Sequence, residues 1–355
     1  MRIVVLLDRW QPRGGGLERY LGEVLPALAS RHDLFLVARD AGRATPPGFT
    51  AVDASSRLPL PRPWRDLADA RALARAARCL RPDAVLSLRS IPLAGACWQP
   101  HTPPAEELRR ARGRARPRLR DRILEDLEER SLAAAGTLLA LSPRLAASFR
   151  ARRPGLETLL LPPPVLVPVA PALRPLAQRP RRFLWCGRDA RLKGAEVALA
   201  WFRELAPESG ARLEMWSRSR SHLERALRRP AASLEPEGVV LRGWDPAFPA
   251  ALEDAEVLLH PTRADACSLV CLEAAARGLA VLTTPANGLA ALLGEPWLAV
   301  VPPGRPGAAA EGLRRLQGGR EDLGDRGRRE AQEAFRERFA PETHLERLEP
   351  ILTHP

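Results

Sequence analysis

Short, wholly apolar runs alternate along this chain with longer stretches in which apolar residues recur every three or four positions. Runs without polar alternation suit strands buried on both faces, and the longer stretches suit amphipathic helices. In the first half the runs fall at residues 2–7, 34–38, 84–88 and 137–141, and the helical pattern covers 17–30 and 64–80. Leu17, Leu21, Val24, Leu25 and Leu28 form the apolar stripe of the first helix, and Pro26 inside it predicts a kink. In the second half, strands are predicted at 182–186, 212–216, 239–241, 257–259, 280–283 and 298–301, with two charged helices near 321–338 and 341–352. Strands alternating with helices in this way predict parallel β-α-β units.

The alternation stops once. Residues 161–180, LPPPVLVPVAPALRPLAQRP, cannot pack as a helix or a central strand and read as a linker. A chain of 355 residues is also too long for one compact core. The expected organisation is a first domain over 1–165, a proline-rich linker over 166–180, a second domain over 181–335, and a terminal helix over 336–355 that packs back on the first domain. The predicted fold class is α/β, two doubly wound domains facing across a cleft that lies at the carboxyl ends of both sets of strands.

Composition narrows the classes. No apolar stretch approaches the ~20 residues of a membrane span, and residues 3–7 are too few for the apolar region of a signal peptide. Five cysteines, odd in number and with no C-x-x-C pair, argue against a disulfide framework or a zinc site and for a reduced cytoplasm. The net charge of +13 comes almost wholly from arginine, which suggests compositional bias more than a nucleic-acid stripe. An aromatic content of 5% gives little for bases to stack on, so no nucleic-acid partner is expected.

The candidate chemistry gathers at three places. In residues 187–194, GRDARLKG, Arg188 and Lys193 stand just past a predicted strand, where two cations suit a diphosphate; Lys193 is the only lysine in the chain. Residues 256–288 carry a buried strand, a polar loop with Asp265, and an apolar helix with Glu273 in its middle. Ser268 fits the N-cap, and the amides of Ser268, Leu269 and Val270 would offer an anion seat. Spacing alone leaves open a surface pair between Glu273 and Arg277. Near the start, Gly14, Gly15 and Gly16 follow the first strand and open the first helix, without the third glycine of a dinucleotide fingerprint. His101, His260, Trp244 and the loop holding Thr283, Thr284, Asn287 and Gly288 are weaker candidates. Residues 109–122 hold eight arginines in fourteen positions, either a solvated helical face or a cationic surface for anionic lipid or a phosphorylated acceptor.

These motifs resemble those of the retaining glycosyltransferases of the group 1, family 4 type. GRDARLKG fits the G-R-x4-K-G pattern at every fixed position, and Asp265 to Glu273 resembles E-x7-E with Asp in the first place. The stretches 87–101 and 258–284 look most like the lipopolysaccharide core glucosyltransferases. The resemblance implies the GT-B fold of two Rossmann-like domains, a nucleotide-sugar donor such as a UDP-hexose, and no cofactor or metal, in keeping with the lack of any D-x-D. It implies a glycan or glycolipid acceptor at the inner face of the inner membrane, and a monomer. It also assigns roles: Gly15 and Gly16 as the donor-side glycine loop, Arg188, Lys193 and the amides of Ser268 to Val270 on the diphosphate, Trp244 near the base, Glu273 on the ribose, and Asp265 and His101 on the transferred sugar.

Overall fold

The computed structural model describes all residues except 12–14, 42–44, 57–58, 207–209 and 354–355. The chain divides into two compact units, Met1–Leu166 with Phe339–Pro355, and Val167–Arg338.

The first unit holds strands β1 (Arg2–Arg9), β2 (Asp33–Arg39), β3 (Phe49–Asp53), β4 (Ala84–Ser87), β5 (Cys97–Trp98), β6 (Thr137–Ala140) and β7 (Glu157–Leu160). They form one sheet in the order β3-β2-β1-β4-β5-β6-β7, parallel at every pairing. Successive side chains of a strand point to opposite faces, so an unbroken apolar run must be covered twice. That is what β1 shows. Ile3, Val5 and Leu7 join one core cluster, which includes Leu348 and Leu352 of the terminal helix Pro341–Thr353. Val4 and Leu6 join another, against Leu73, Ala74 and Ala77 of the helix Arg62–Cys79.

Three strands of this sheet are absent from the apolar pattern: β3 is a half-exposed edge, β5 has two residues, and β7 is another half-buried edge. The predicted helix 17–30 is not one regular helix. It runs as an α-helical turn Gly16–Arg19, a wider π turn Tyr20–Val24, and a tighter 3-10 stretch Leu25–Ser30 with Pro26 near its start. Proline cannot donate an amide and collides with the preceding turn, so the winding changes there instead of bending smoothly.

The second unit holds β8 (Arg182–Cys186), β9 (Arg212–Ser217), β10 (Val239–Gly243), β11 (Val257–His260), β12 (Ala280–Thr283) and β13 (Leu298–Val300). Their order is β10-β9-β8-β11-β12-β13, again all parallel. In both sheets the winding reverses beside the first strand, between β1 and β4 and between β8 and β11, the place where doubly wound sheets hold ligands.

The proline-rich stretch divides: Leu161 joins the core of the first unit, and residues from Val167 on belong to the second. The Ala170 amide donates to the Ala276 carbonyl at 2.7 Å, and Leu173 is buried. Arg320, 1% exposed, fixes this corner by donating to the carbonyls of Arg174, Gly278, Leu279 and Pro296 at 2.8–3.0 Å. Burial, with Arg328 and Arg174 nearby, lowers its guanidinium to about 10. Arg320 belongs to a helix that begins well before residue 321, running Ala308–Phe339 with a break at Gly324. Among the described residues, no helix is long and apolar enough to cross a membrane.

Candidate functional site

The chemistry of the second unit is built at the carboxyl ends of β8 and β11. The chain leaves β8 through residues 187–194 and enters the helix Ala195–Leu205. Two glycines set the path of Lys193. A Cβ on Gly187 would meet the Lys193 side chain at 2.7 Å, and a Cβ on Gly194, whose φ is +68°, would meet the Pro261 carbonyl oxygen at 2.1 Å. The Lys193 amide donates to Asp189 O at 2.9 Å, and its carbonyl accepts from Trp185 Nε1 at 3.0 Å.

So held, the Lys193 ammonium bonds the Asp265 carboxylate, the two side chains being 22% and 13% exposed. His260, at the end of β11, brings Nε2 to 3.5 Å from Asp265 Oδ2 and 3.1 Å from Ser268 Oγ. Burial alone would raise the Asp265 carboxyl, but the Lys193 charge and the His260 hydrogen bond outweigh it and hold it well below the carboxylate range. Burial lowers the His260 imidazole, the Asp265 hydrogen bond opposing and the Lys193 charge adding, so it is neutral near pH 7. Its Nδ1 is buried with no hydrogen-bond partner.

The loop bearing Asp265 is fastened by Asn287. Asn287 Oδ1 accepts from the amides of Ser268 at 3.2 Å and Leu289 at 3.1 Å, and its Nδ2 donates to Thr283 Oγ1 at 3.1 Å. Asp265 itself pairs as an isolated parallel bridge with Asn287. Beyond the loop, the helix Leu269–Ala276 carries Glu273 half-buried in its middle. Burial raises the thiol of Cys186 at the end of β8, and the Glu273 and Lys193 charges act on it with opposite sign. Both charges are therefore felt at the same strand end. Arg188 is exposed in the same turn; Trp244, 43% exposed past the end of β10, packs edge-on against Phe248 at 4.7 Å.

Gly15, Gly16 and His101 belong to the first unit. Gly15 has φ +144° at the cap of Gly16–Arg19, a conformation that favours glycine, while Gly14 lies outside the described residues. His101, half-buried after β5, donates from Nε2 to Gln99 Oε1 at 3.1 Å, and its ring lies 5.8 Å from that of Tyr20. Burial, with Arg89 and His344 nearby, lowers its imidazole to about 3. Tyr20 in turn donates its hydroxyl to His344 Nε2 at 2.9 Å, because His344 Nδ1 gives its proton to Pro162 O at 2.9 Å.

Comparison with known proteins agrees with this architecture. The family model described as glycosyltransferase family 4 matches residues 14–165, and that described as glycosyl transferases group 1 matches residues 180–318. The chain belongs to the group 1 and family 4 glycosyltransferases. Solved structures share the GT-B fold over almost their whole length. WaaG, a glycosyltransferase involved in lipopolysaccharide biosynthesis, is 17% identical with a TM-score of 0.71, over 99% of this chain and 100% of that one. Sucrose-phosphate synthase from Thermosynechococcus elongatus is 19% identical with a TM-score of 0.73, over 99% and 98%. Anabaena HepE, in complex with UDP and glucose, is 15% identical with a TM-score of 0.67, over the whole of both chains. No curated protein matches the sequence.

In this glycosyltransferase several candidates are occupied differently from the sequence expectation. Ser268 sits at the N-cap, but its hydroxyl faces His260 instead of capping, and its amide donates to Asn287. Leu269 and Val270 are half-buried residues whose first-turn amides have no acceptor within their own helix. Thr283, Thr284, Asn287 and Gly288 are buried, and hydrogen bonds from the two threonines and Asn287 tie the loop together. Arg277 donates to the Glu273 backbone carbonyl at 3.4 Å. His260, a weaker candidate in sequence, stands at a strand end five residues before Asp265 and contacts that acid.

The arginine-rich stretch is also partly internal. Arg109 is buried on Glu125 at 2.7 Å, Arg110 pairs with Glu106, Arg114 with Asp121, and Arg120 with Asp66.

Proposed function

We propose that this glycosyltransferase moves a hexose from a nucleotide-diphosphate sugar, with retention of anomeric configuration and without a metal ion, to a cell-envelope glycan or glycolipid such as lipopolysaccharide core. The observation that carries the reading is the Lys193 ammonium held on the Asp265 carboxylate just past the end of β8, with the Glu273 charge felt at that strand end. An ammonium has three N–H donors, so Lys193 can keep Asp265 and also hold a phosphate oxygen. Arg188 and the amides of Leu269 and Val270 add to the charge stabilisation that grows as the glycosidic bond breaks. Glu273 accepts from the ribose hydroxyls, and Asp265 from a hydroxyl of the transferred sugar. His101, neutral near pH 7 and with Nε2 committed to Gln99, is suited to accept a hydroxyl hydrogen bond at Nδ1 rather than to act as a strong base.

In the proposed step the acceptor hydroxyl oxygen forms its bond to the anomeric carbon on the face that the diphosphate leaves. The acceptor proton passes to the departing phosphate oxygen. The HepE structure with UDP and glucose and the likeness to WaaG support this choice of donor and acceptor class.

Thermal unfolding with UDP-, GDP- and ADP-sugars tests the donor, since a ligand that binds the folded state raises the midpoint by mass action. One of these sugars is expected to raise it. The product from an α-linked donor is then expected to be α-linked by NMR; an inverted product would reject the retaining mechanism. Activity that is absent in the parent and appears with Asp265→Glu would instead mark a silent relative.

A further inference from the structure

Behind His101 the first unit holds a line of buried polar side chains that the transfer step itself does not use. His344, 4% exposed, comes from the terminal helix Pro341–Thr353, and Tyr20, 3% exposed, from the π turn Tyr20–Val24. Gln99, fully buried, follows β5, where its amide donates to Ser87 O at 2.8 Å. The Tyr20 ring stands between two imidazoles, 5.8 Å from that of His101 and 5.3 Å, edge-on, from that of His344.

The polar atoms run in order. His344 Nδ1 lies 2.9 Å from Pro162 O, the Tyr20 hydroxyl 2.9 Å from His344 Nε2, and Gln99 Oε1 3.1 Å from His101 Nε2. The step from Tyr20 to Gln99 is looser. Gln99 Nε2 is buried with no full hydrogen bond, yet Gln99 opposes the rise that burial imposes on the Tyr20 phenol, as an N–H directed at the phenol oxygen does.

One end of this line can only accept, because a backbone carbonyl carries no hydrogen. His344 must therefore hold its proton on Nδ1 and, kept neutral by burial, presents a bare Nε2. Tyr20 must spend its hydroxyl hydrogen there, which leaves oxygen lone pairs towards the Gln99 amide nitrogen. A turned Gln99 would set its oxygen against that phenol oxygen with no hydrogen between them. So Oε1 faces His101, and His101 Nε2 must be the N–H.

We propose that Tyr20, Gln99 and His344 are positioning residues that hold His101 in the tautomer with its hydrogen on Nε2, so that the terminal helix determines which ring nitrogen is left to accept from a sugar hydroxyl. The inference rests on the glycosyltransferase reading for the sugar alone; the tautomer belongs to the protein without ligand.

Two-bond proton–nitrogen correlation NMR of the full chain carrying nitrogen-15 histidine reads each ring's tautomer, and His101→Asn identifies the signals. The parent is expected to show His101 with hydrogen on Nε2. Tyr20→Phe removes the oxygen that Gln99 faces, and His344→Leu lets the Tyr20 hydroxyl turn its hydrogen to Gln99 Oε1 and swing the amide round. Each is expected to raise the Nδ1–H form of His101 about fivefold or more, the ratio that one hydrogen bond sets. His344→Gln, whose oxygen can take the Tyr20 hydrogen again, is expected to read as the parent. The two disruptive variants reach the line from different elements, so either decides if the other does not fold. Hydrogen on Nδ1 in the parent, an unchanged balance in either folded variant, or an equal shift in His344→Gln and His344→Leu would overturn the proposal. Calorimetry of nucleotide sugars on the same samples reports the transferase reading separately. No uptake with the tautomer pattern intact contradicts the donor assignment alone, and uptake without the pattern contradicts this proposal alone.

Discussion

The two units share one winding and use charge in opposite ways. In the second, a single lysine is set against a carboxylate that is mostly buried, with a neutral histidine at 3.5 Å and the head of a helix next in the chain. In the first, arginines and acids are matched in number around a cavity and most are locked in pairs. The difference is between one mostly buried pair at a strand end, whose ammonium keeps N–H donors beyond Asp265, and several partly exposed pairs around a cavity. Such an ammonium can answer a developing negative charge on a leaving phosphate.

The strongest way to break this contrast is to remove the lysine. Lys193→Ala is expected to lower transfer by about 10²–10³-fold, the usual loss when one electrostatic contact to a developing charge is deleted. It also leaves the Asp265 carboxylate without the cation that holds its proton affinity down, so the thermal midpoint should drop with it. A variant retaining more than a tenth of parental turnover would place the phosphate charge elsewhere.

The first unit has its own test in acid. Burial lowers the imidazole of His344 from the ordinary 6.5 to about 4. The unfolded chain then binds a proton that the folded one does not, so stability present above pH 6.5 is lost as pH falls towards 4. At 1.36 kcal/mol per pH unit the loss amounts to about 3 kcal/mol. In denaturant titrations between pH 7 and 4, His344→Gln should show a shallower fall than the parent. An equal slope would mean that burial does not hold the His344 imidazole neutral.

Trp244→Ala should have the smallest effect. An exposed ring past β10 offers a nucleobase one face, and its loss is expected to raise the donor KM by a few-fold with kcat unchanged. A change in kcat instead would mean that Trp244 acts on the reacting sugar.

The two regions also differ in how far they could be read from sequence. The apolar runs of the central strands were legible because both faces of a parallel sheet must be covered, and Lys193 stood out because arginine supplies every other fixed cation. Edge strands β3 and β7 escaped because half of their surface needs no apolar cover. The helix start at Ala308 was hidden by Gly312, Gly318 and Gly319, poor helix formers that packing overrides.

In the candidate site, Asp265 and Glu273 were visible through their resemblance to E-x7-E, while the task of Asn287, holding the Ser268 amide from 19 residues away, leaves no local pattern. The links from Tyr20 to His344 and from Arg120 to Asp66 span 324 and 54 residues, and in an arginine-rich chain no periodicity distinguishes a buried pair from a solvated one.

The central claim is that the end of β8 holds an activated sugar through Lys193 and Glu273. Calorimetric titration of the parent, Lys193→Ala and Glu273→Gln with the nucleotide sugar that most raises the unfolding midpoint tests it directly. The account predicts one saturable site in the parent and affinity at least tenfold weaker in both variants, the loss expected for a hydrogen bond to a charged group. Equal affinity in all three proteins, or no uptake of any nucleotide sugar by the parent, would contradict it.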